Sequence, residues 1–203
     1  MENLFHIDTD IFLFFNRLHS ECADVFFYYI SQTWFWFPLY LFIIFLIIKK
    51  WKKQSWKVLL IAFLMVFCTD QTCNLLKNSI KRPRPSHTEQ LQSEIHLVVK
   101  PNGETYYGGQ YGFPSAHAAN SAAIALFLIL LYEGRKRWWG AVALTWVLLL
   151  SYSRLYLGVH YPLDLCCGWL LGAAWGRLAH LLVRRWTVSP ESRKEGHPTA
   201  KEK

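Results

Sequence analysis

The sequence predicts an all-α fold, a polytopic membrane bundle of about five spanning helices preceded by an N-terminal helix that lies in the membrane interface. Two observations support this prediction. The hydrophobic residues, which make up 53% of the 203-residue chain, occur in long blocks, and the basic residues stand at the ends of those blocks. The mean hydropathy of only +0.13 averages these blocks with a polar loop and a polar tail, so the local pattern is more informative.

The first block is the clearest of the five predicted spans. Val25 to Ile48 runs 24 residues without a charge, and a helix needs about 20 apolar residues to cross a bilayer. With boundaries good to a few residues, the spans are predicted at 25–48, 56–79, 115–133, 137–154 and 161–183. The last two are short on unbroken apolar length and depend partly on the charge pattern.

The N-terminal stretch 5–19 predicts a helix of another kind. Its apolar residues alternate with Asp8, Asp10 and Arg17, and the stretch is too short and too charged to cross a bilayer. It is typical of a helix that lies in the interface. The preceding Met-Glu-Asn-Leu lacks the basic start of a cleavable signal peptide.

The orientation follows from the basic residues in the connections between spans. One side carries 14 of them, in the 49–57 loop, the 134–137 turn and the tail, and the other side carries six. The positive-inside rule places the richer side in the cytoplasm and the loops at about 80–114 and 154–160 outside. We therefore expect a membrane domain over 1–185 and a polar, disordered cytoplasmic tail over 186–203.

The charge and the cysteines exclude other classes of protein. A net charge of +8 suits nucleic-acid binding, but these basic residues flank apolar blocks instead of lining a polar face, so no nucleic-acid partner is expected. The five cysteines lie mostly in apolar segments without zinc-like spacing, which predicts buried free thiols. The expected partners are membrane lipids and a lipid substrate, and the sequence leaves the oligomeric state open.

Three clusters of polar residues fall on the predicted outer side, within the ranges 77–85, 113–117 and 153–164. Each alone has an ordinary explanation: contacts with lipid head groups, a helix start, or a structural hydrogen bond. Their meeting at one membrane face indicates a shared phosphate site instead. The residues predicted to bind the phosphate are three cations and the start of the third span, namely Lys77, Arg84, Arg154, Ser115 and Ala116.

Three further residues in these clusters suit acid–base and nucleophilic chemistry. His160 and Asp164 are four apart and share one helix face, so the carboxylate can hold the imidazole in one tautomer. His117 is a second titratable group, suited to donating a proton to a leaving oxygen. No metal site and no cofactor are predicted, because the outer loops lack the paired carboxylates that magnesium prefers.

The order Lys-x6-Arg-Pro, Pro-Ser-x-His and Ser-Arg-x5-His-x3-Asp resembles the type 2 phosphatidic acid phosphatase superfamily. The motifs run from Lys77 to Asp164, and the helices extend the likeness over about 1–185. The resemblance implies that His160 attacks phosphorus to form a phosphohistidine, that Asp164 supports it and that His117 protonates the leaving group. It also implies that the phosphate is held by Lys77, Arg84, Ser115 and Arg154.

Two features go beyond the shared motifs. Ala116 stands where the family usually has glycine, which keeps the backbone N–H but loses easy access to positive φ. Asp70, Asn74 and Lys77 form a polar stripe on the second span. In this stripe Asp70 either helps to place Lys77 or makes a packing contact with a neighbouring helix.

The expected function is a metal-independent lipid phosphatase or diphosphatase in the bacterial cytoplasmic membrane, with its site on the outer, periplasmic side. Undecaprenyl diphosphate and lipid A are the favoured substrates, because both become available on that side. Phosphatidylglycerol phosphate and phosphatidate are alternatives, and a non-catalytic lipid-phosphate binding or transport protein is the competing class. The loop 86–113, rich in Gly and Tyr, is expected to form a flexible aromatic rim that selects the head group.

Overall fold

The part of the chain that the structure describes contains seven α-helices, joined by loops and short 3₁₀ turns, and no strand. The structure is a computed structural model and describes residues 2–132 and 137–187. Most of the predicted cytoplasmic turn at 134–137 and nearly all of the predicted disordered tail lie outside the described residues. The helices are α1 (Glu2–Asn16), α2 (Glu21–Ile30), α3 (Phe37–Trp51), α4 (Ser55–Ile80), α5 (Ala116–Leu131), α6 (Arg137–Tyr156) and α7 (Pro162–Trp186).

The prediction of one continuous helix over 25–48 is wrong. Helix α2 ends at Ile30, a 3₁₀ turn follows at Thr33–Trp36, and α3 begins at Phe37. At the break, the Ser31 hydroxyl donates to the Tyr28 carbonyl at 2.8 Å and the Gln32 amide donates to the same oxygen at 3.3 Å, so polar side chains satisfy a carbonyl at the helix end. Pro38 then stands in the first turn of α3, where its missing N–H is tolerated.

The other four predicted spans match single helices to within a few residues, α4 to α7. Among the described residues, two stretches are by length and composition long and apolar enough to cross a membrane, Thr33–Ile80 and Pro162–Trp186. The first of these contains both α3 and α4, which are separated at Lys52, a residue with φ of 47°. The number of spans therefore stays a prediction.

The outward faces of α3, α4, α6 and α7 are strongly apolar. Large hydrophobic side chains stand exposed along each of them, for example Leu41, Phe63 and Leu170 at 66%, 66% and 74% exposure. An apolar surface of this extent is typical of a face that contacts lipid or another protein. It supports a location in a membrane.

Helices α5 and α7 run parallel and pack backbone to backbone. The glycines of α7 at Gly168, Gly172 and Gly176 face α5 at intervals of one turn. A Cβ at Gly172 would lie 2.0 Å from the carbonyl oxygen of Ala119, so no larger side chain fits there. Because the two helices run in the same direction, their N-termini lie side by side at one end of the bundle.

The N-terminal helix α1 confirms the predicted helix over 5–19, but its polar residues are placed in an unexpected way. The stripe that packs on the bundle contains Asp8, Phe12 and Asn16, which are 3%, 0% and 0% exposed. The Asn16 amide donates to the carbonyl oxygens of His96, at 3.0 Å, and Tyr156, at 2.9 Å. Polar contacts and the buried Phe12 ring therefore dock α1 together, while apolar residues such as Phe14 face outward.

Candidate active site

Two helix N-termini meet at the end of the bundle where the three predicted clusters lie. Ser115 is the N-cap of α5, and its hydroxyl accepts a hydrogen bond from the Ala118 N–H at 3.5 Å. Its own N–H donates to the carbonyl oxygen of Asp164 in the first turn of α7, at 2.9 Å. The positive ends of two helix dipoles therefore point to the same place, which favours an anion there.

His160 and Asp164 form a buried pair at the start of α7, 1% and 0% exposed. His160 Nδ1 lies 3.3 Å from Asp164 Oδ2, and this oxygen also accepts from the Tyr161 N–H at 3.0 Å. The Gly112 backbone makes a further hydrogen bond with the His160 ring. Since a carboxylate accepts, Nδ1 carries the hydrogen, and the lone pair of the neutral ring stands on Nε2.

The surroundings of His160 keep this ring uncharged. Burial, then the positive charges of Arg84, Arg154 and Lys77, lower the pKa of His160 well below its ordinary value. At neutral pH the imidazole is therefore neutral. A neutral imidazole is the form that can act as a nucleophile.

The loop between α4 and α5 approaches this pair closely at Gly112. A Cβ at Gly112 would lie 3.0 Å from Asp164 Oδ2, 3.2 Å from Arg84 Cγ and 3.5 Å from His160 Nδ1. A side chain at this position would crowd all three groups, so glycine allows the backbone to come close to the ring. The loop thus covers the Nδ1 side of His160, opposite to Nε2.

The two arginines of the predicted phosphate clamp are both buried, Arg84 at 8% and Arg154 at 2% exposure. Arg84 Nε donates to the Tyr111 carbonyl at 3.1 Å, and Arg154 Nη2 donates to the Tyr106 hydroxyl at 3.3 Å. Nε and Nη1 of Arg154 are buried and have no acceptor within the described part of the protein. Buried donors of this kind normally have partners, so they mark a place for an anionic ligand.

Lys77, near the end of α4, completes a cluster of three cations. Its ammonium group interacts electrostatically with Arg84 and Arg154. Burial and the adjacent Arg154 lower the pKa of Arg84 to about 10, which still leaves the guanidinium charged at neutral pH. Three like charges at one place repel one another, and a phosphate group would offset that repulsion.

His117 lies in the first turn of α5 and is held in a different way. Its Nε2 lies 3.2 Å from the carbonyl oxygen of Ser31, at the break between α2 and the 3₁₀ turn. Because a carbonyl only accepts, Nε2 carries the hydrogen in this bond. Arg154 and the His160 ring both lie close enough to interact electrostatically with His117, so the two histidines share one site.

Ala116, which replaces the glycine usual in the family, has an ordinary backbone conformation. It is the first residue of α5, and the non-glycine residues with positive φ in the described chain are Lys52 and Lys81. Position 116 therefore does not need the conformational freedom of glycine. Its N–H belongs to the first turn, where amides have no acceptor within the helix.

The structure adds residues that the sequence reasoning did not single out. Arg82 and Asp8 contact Asp164 directly and indirectly, and Ser31 supplies the carbonyl for His117. Tyr106, expected in a flexible rim, is half-buried against Arg154 instead, while Tyr107 is 45% exposed. Arg82 was visible within the first cluster, but nothing in the sequence linked Asp8 or Ser31 to the site.

The polar stripe on α4 is formed in part. The Asn74 amide donates to Asp70 Oδ2 at 3.0 Å, and the Asp70 charge acts on Lys77. Asn74 is exposed on the outside of the bundle. Both interpretations of Asp70, placing Lys77 or contacting a neighbouring helix, therefore stay open.

Within the described residues, no group of three or more His, Cys, Asp or Glu side chains is arranged to hold a metal ion. The charge at the site comes from Lys77, Arg84 and Arg154 instead. Whether the reaction needs a metal is a separate matter, and the expectation that it does not stays a prediction.

Comparison with known proteins gives a family and a fold. The sequence model of one protein family, the PAP2 superfamily, matches residues 55–187. The chain is 39% identical to the lipid A 4'-phosphatase of Bacteroides thetaiotaomicron over 95% of its own length and 84% of that protein. It is 31% identical to the lipid A 4'-phosphatase of Porphyromonas gingivalis over 89% of its own length and 74% of that protein.

Two solved structures resemble the bundle. The crystal structure of Aquifex aeolicus LpxE superposes with a TM-score of 0.60 at 26% identity, covering 84% of this chain and 93% of that one. The transmembrane PAP2-type phosphatidylglycerolphosphate phosphatase of Bacillus subtilis superposes with a TM-score of 0.69 at 21% identity, over 92% and 89%, and supports the fold alone. The family match spans more than half of the chain and includes all three motifs, and the chain therefore belongs to the PAP2 superfamily.

Proposed function

We propose that this protein is a membrane phosphatase that hydrolyses a phosphate ester of lipid A through a phosphohistidine at His160. The observation that carries the proposal is that two buried nitrogens of Arg154, Nε and Nη1, have no acceptor among the described residues, beside the His160–Asp164 pair. The phosphatase class follows from the family, and the substrate follows from the relatives named lipid A 4'-phosphatase. Undecaprenyl diphosphate remains the second candidate substrate.

In the first step, the Nε2 lone pair of His160 attacks phosphorus and the bond from phosphorus to the lipid oxygen breaks. The electron pair of that bond stays on the lipid oxygen, which takes a proton from His117 and leaves as an alcohol. Asp164 stabilises the positive charge that develops on the His160 ring. Lys77, Arg84 and Arg154 offset the charge on the phosphoryl oxygens, and Ser115 and the Ala116 N–H bind the same group from the end of α5.

In the second step, water attacks the phosphohistidine and gives a proton to the now neutral His117. The bond from nitrogen to phosphorus breaks, its electron pair returns to Nε2, and inorganic phosphate leaves. Both histidines end in their starting states. His117 gives up one proton in the first step and regains one in the second. The cycle therefore balances without another acid or base.

The test is phosphate release by the purified protein from four lipids in detergent: lipid A, undecaprenyl diphosphate, phosphatidylglycerol phosphate and phosphatidate. We expect lipid A to be turned over fastest, with His160→Ala inactive and Arg17→Gln, which breaks an exposed ion pair with Glu94, unchanged. Mass spectrometry of the product then identifies which phosphate has left. Faster release from another lipid would replace the substrate, and no release from any of them would contradict the enzymatic class.

We also propose that the protein lies in the bacterial cytoplasmic membrane with this site on the outer side. The support is the basic asymmetry of the connections, with 14 basic residues on one side and six on the other, which predicts that Lys52 lies inside and Lys100 outside. In a background without native cysteines, an impermeant thiol reagent applied to intact spheroplasts should label Lys100→Cys and spare Lys52→Cys until lysis. The reverse pattern would reject this orientation.

A further inference from the structure

We propose that Arg82 and Asp8 are positioning residues for the His160–Asp164 pair, so that the N-terminal helix α1 is part of the apparatus of the site. The inference rests on the proposed function for the role of that pair. Asp8 lies outside the three motifs that carry the family resemblance, and Arg82 stands at one of the unspecified positions of the first motif. Their place in the site follows from their contacts with Asp164 and with the first turn of α7.

Arg82 holds one oxygen of Asp164 while His160 uses the other. Arg82 Nη1 donates to Asp164 Oδ1 at 2.7 Å, whereas Asp164 Oδ2 faces His160 Nδ1 and the Tyr161 N–H. The carboxylate is therefore bonded at both ends and cannot rotate without losing a contact. Since the orientation of the carboxylate sets the tautomer of His160, Arg82 acts on Nε2 through Asp164.

Asp8 holds Arg82 and anchors it to the helix that carries Asp164. Its Oδ2 accepts from Arg82 Nη2 at 2.6 Å, and its Oδ1 accepts from the Leu163 N–H at 2.8 Å. Asp8 is 3% exposed although it lies on the N-terminal helix. The contacts close a ring from α1 through Arg82 to the first turn of α7.

The guanidinium of Arg82 is also fixed by aromatic rings. It lies 4.2 Å from the centre of the Tyr161 ring and 5.5 Å from that of Phe5, and the side chain is 15% exposed. Its two N–H groups on the carboxylates are thus held in one geometry. Arg82 is therefore distinct from Arg84, which contacts the Tyr111 carbonyl.

A buried Asp–Arg–Asp triad is weak as a device for stability alone. Taking three charges out of water costs free energy that apolar packing at the same place avoids. Its value lies in fixing one arrangement of groups, and here the group it fixes is the carboxylate beside His160. The orientation of the Asp164 carboxylate therefore explains why α1 carries a buried charge at Asp8. The rest of the helix is docked by Asn16 and Phe12.

The test compares Arg82→Gln, Arg82→Lys and Asp8→Asn with two controls on α1. Asn16→Ala loosens the docking of α1 without touching the triad, and Arg17→Gln breaks an exposed ion pair directly after that helix. The first readout is the tautomer of His160, followed by ¹⁵N NMR of histidine-labelled protein in micelles and assigned with His160→Gln. The second readout is kcat and KM on the lipid substrate.

We expect Arg82→Gln to mix the two His160 tautomers and to lower kcat about 10- to 100-fold with KM unchanged, by analogy with the groups that orient metal-binding histidines. Asp8→Asn should give a smaller loss of the same kind, and Arg82→Lys should recover part of kcat. Both controls should keep the Nδ1–H tautomer. Should Arg82→Gln not fold, the near-isosteric Asp8→Asn and the charge-preserving Arg82→Lys carry the test.

Two results would overturn the inference: a wild-type tautomer and kcat in Asp8→Asn and the Arg82 variants, or equal losses in Asn16→Ala. The second would show that α1 acts only by being docked. A wild-type protein inactive on every lipid would instead sink the proposed function. The tautomer comparison would still decide whether Arg82 and Asp8 orient His160.

Discussion

The region around His160 and the region around His117 hold their histidines by different means. His160 bonds a buried carboxylate that is itself bonded by Arg82 and the Tyr161 N–H. His117 bonds the backbone carbonyl of Ser31, at the break that follows α2. The first arrangement fixes a ring through a charged network, and the second holds a ring through one neutral contact.

This difference matches the two roles that we propose. A nucleophile needs a lone pair in a fixed place, and a carboxylate on Nδ1 both fixes the tautomer and stabilises the charged product. A group that gives and takes a proton must exist in both protonation states. A neutral carbonyl partner for His117 allows either state, because it accepts a hydrogen bond from the ring in both.

The largest effect is expected from His160→Ala. This variant should lose turnover of every substrate, p-nitrophenyl phosphate included, because the proposal leaves no other nucleophile. Phosphate release and ³²P labelling of the protein from a labelled substrate measure the loss. Turnover of p-nitrophenyl phosphate by the variant would show that the roles are reversed or shared.

His117→Ala should depend on the leaving group. With a lipid alcohol leaving, the loss should reach about 10²- to 10⁴-fold, since the departing oxygen needs a proton. With p-nitrophenolate leaving, a stable anion, much of the rate should return. Parallel kcat/KM measurements on the two substrates decide this, and an equal loss on both would contradict the assignment of His117 as the acid.

Lysine substitutions at Arg84 and Arg154 test whether phosphate binding needs only the positive charge or also the planar geometry of arginine. Arg84→Lys and Arg154→Lys keep the charge but lose the planar fork, so kcat/KM should fall about 10²-fold in folded protein. Near wild-type turnover in both would show that only the electric field matters. Gel filtration in detergent serves as the check of folding.

Arg84→Gln also removes a positive charge that lowers the pKa of His160. Its loss raises that pKa, so His160 becomes protonated at a higher pH and the acid limb of kcat/KM moves upward. Arg84→Lys keeps the charge and should leave the acid limb in place. A limb that moves equally in both variants would contradict this account of the field at His160.

The smallest effect is expected from chelation. Lys77, Arg84 and Arg154 place three positive charges around His160. In the proposed reaction these charges stabilise the phosphoryl group, so no metal ion is needed for that purpose. Activity should therefore survive incubation with EDTA and gel filtration into metal-free buffer. Loss of activity that magnesium restores would refute this prediction and would require ligands outside the three clusters.

Much of the fold could be predicted because membrane helices leave a strong local signal. Apolar length and flanking charge located α4 to α7 to within a few residues, since each depends on nearby sequence alone. The stretch 25–48 was wrongly predicted as one helix because that prediction also used only the local composition. Its composition suits a span throughout, and composition does not show that the side chains of Ser31 and Gln32 donate to the Tyr28 carbonyl where α2 ends.

The sequence by itself also determined the chemical inventory of the site: two histidines, one aspartate, three cations and a helix start, in motifs whose order identified the family. Motifs can be read because their residues stand at short, fixed spacings, as His160 and Asp164 do. Only the tertiary structure decided which other residues hold these site residues in place. Asp8 meets Arg82 across 74 positions of chain, and Ser31 meets His117 across 86. Such pairs leave no spacing to read, because only the packing of α1 and α2 on the bundle brings them together.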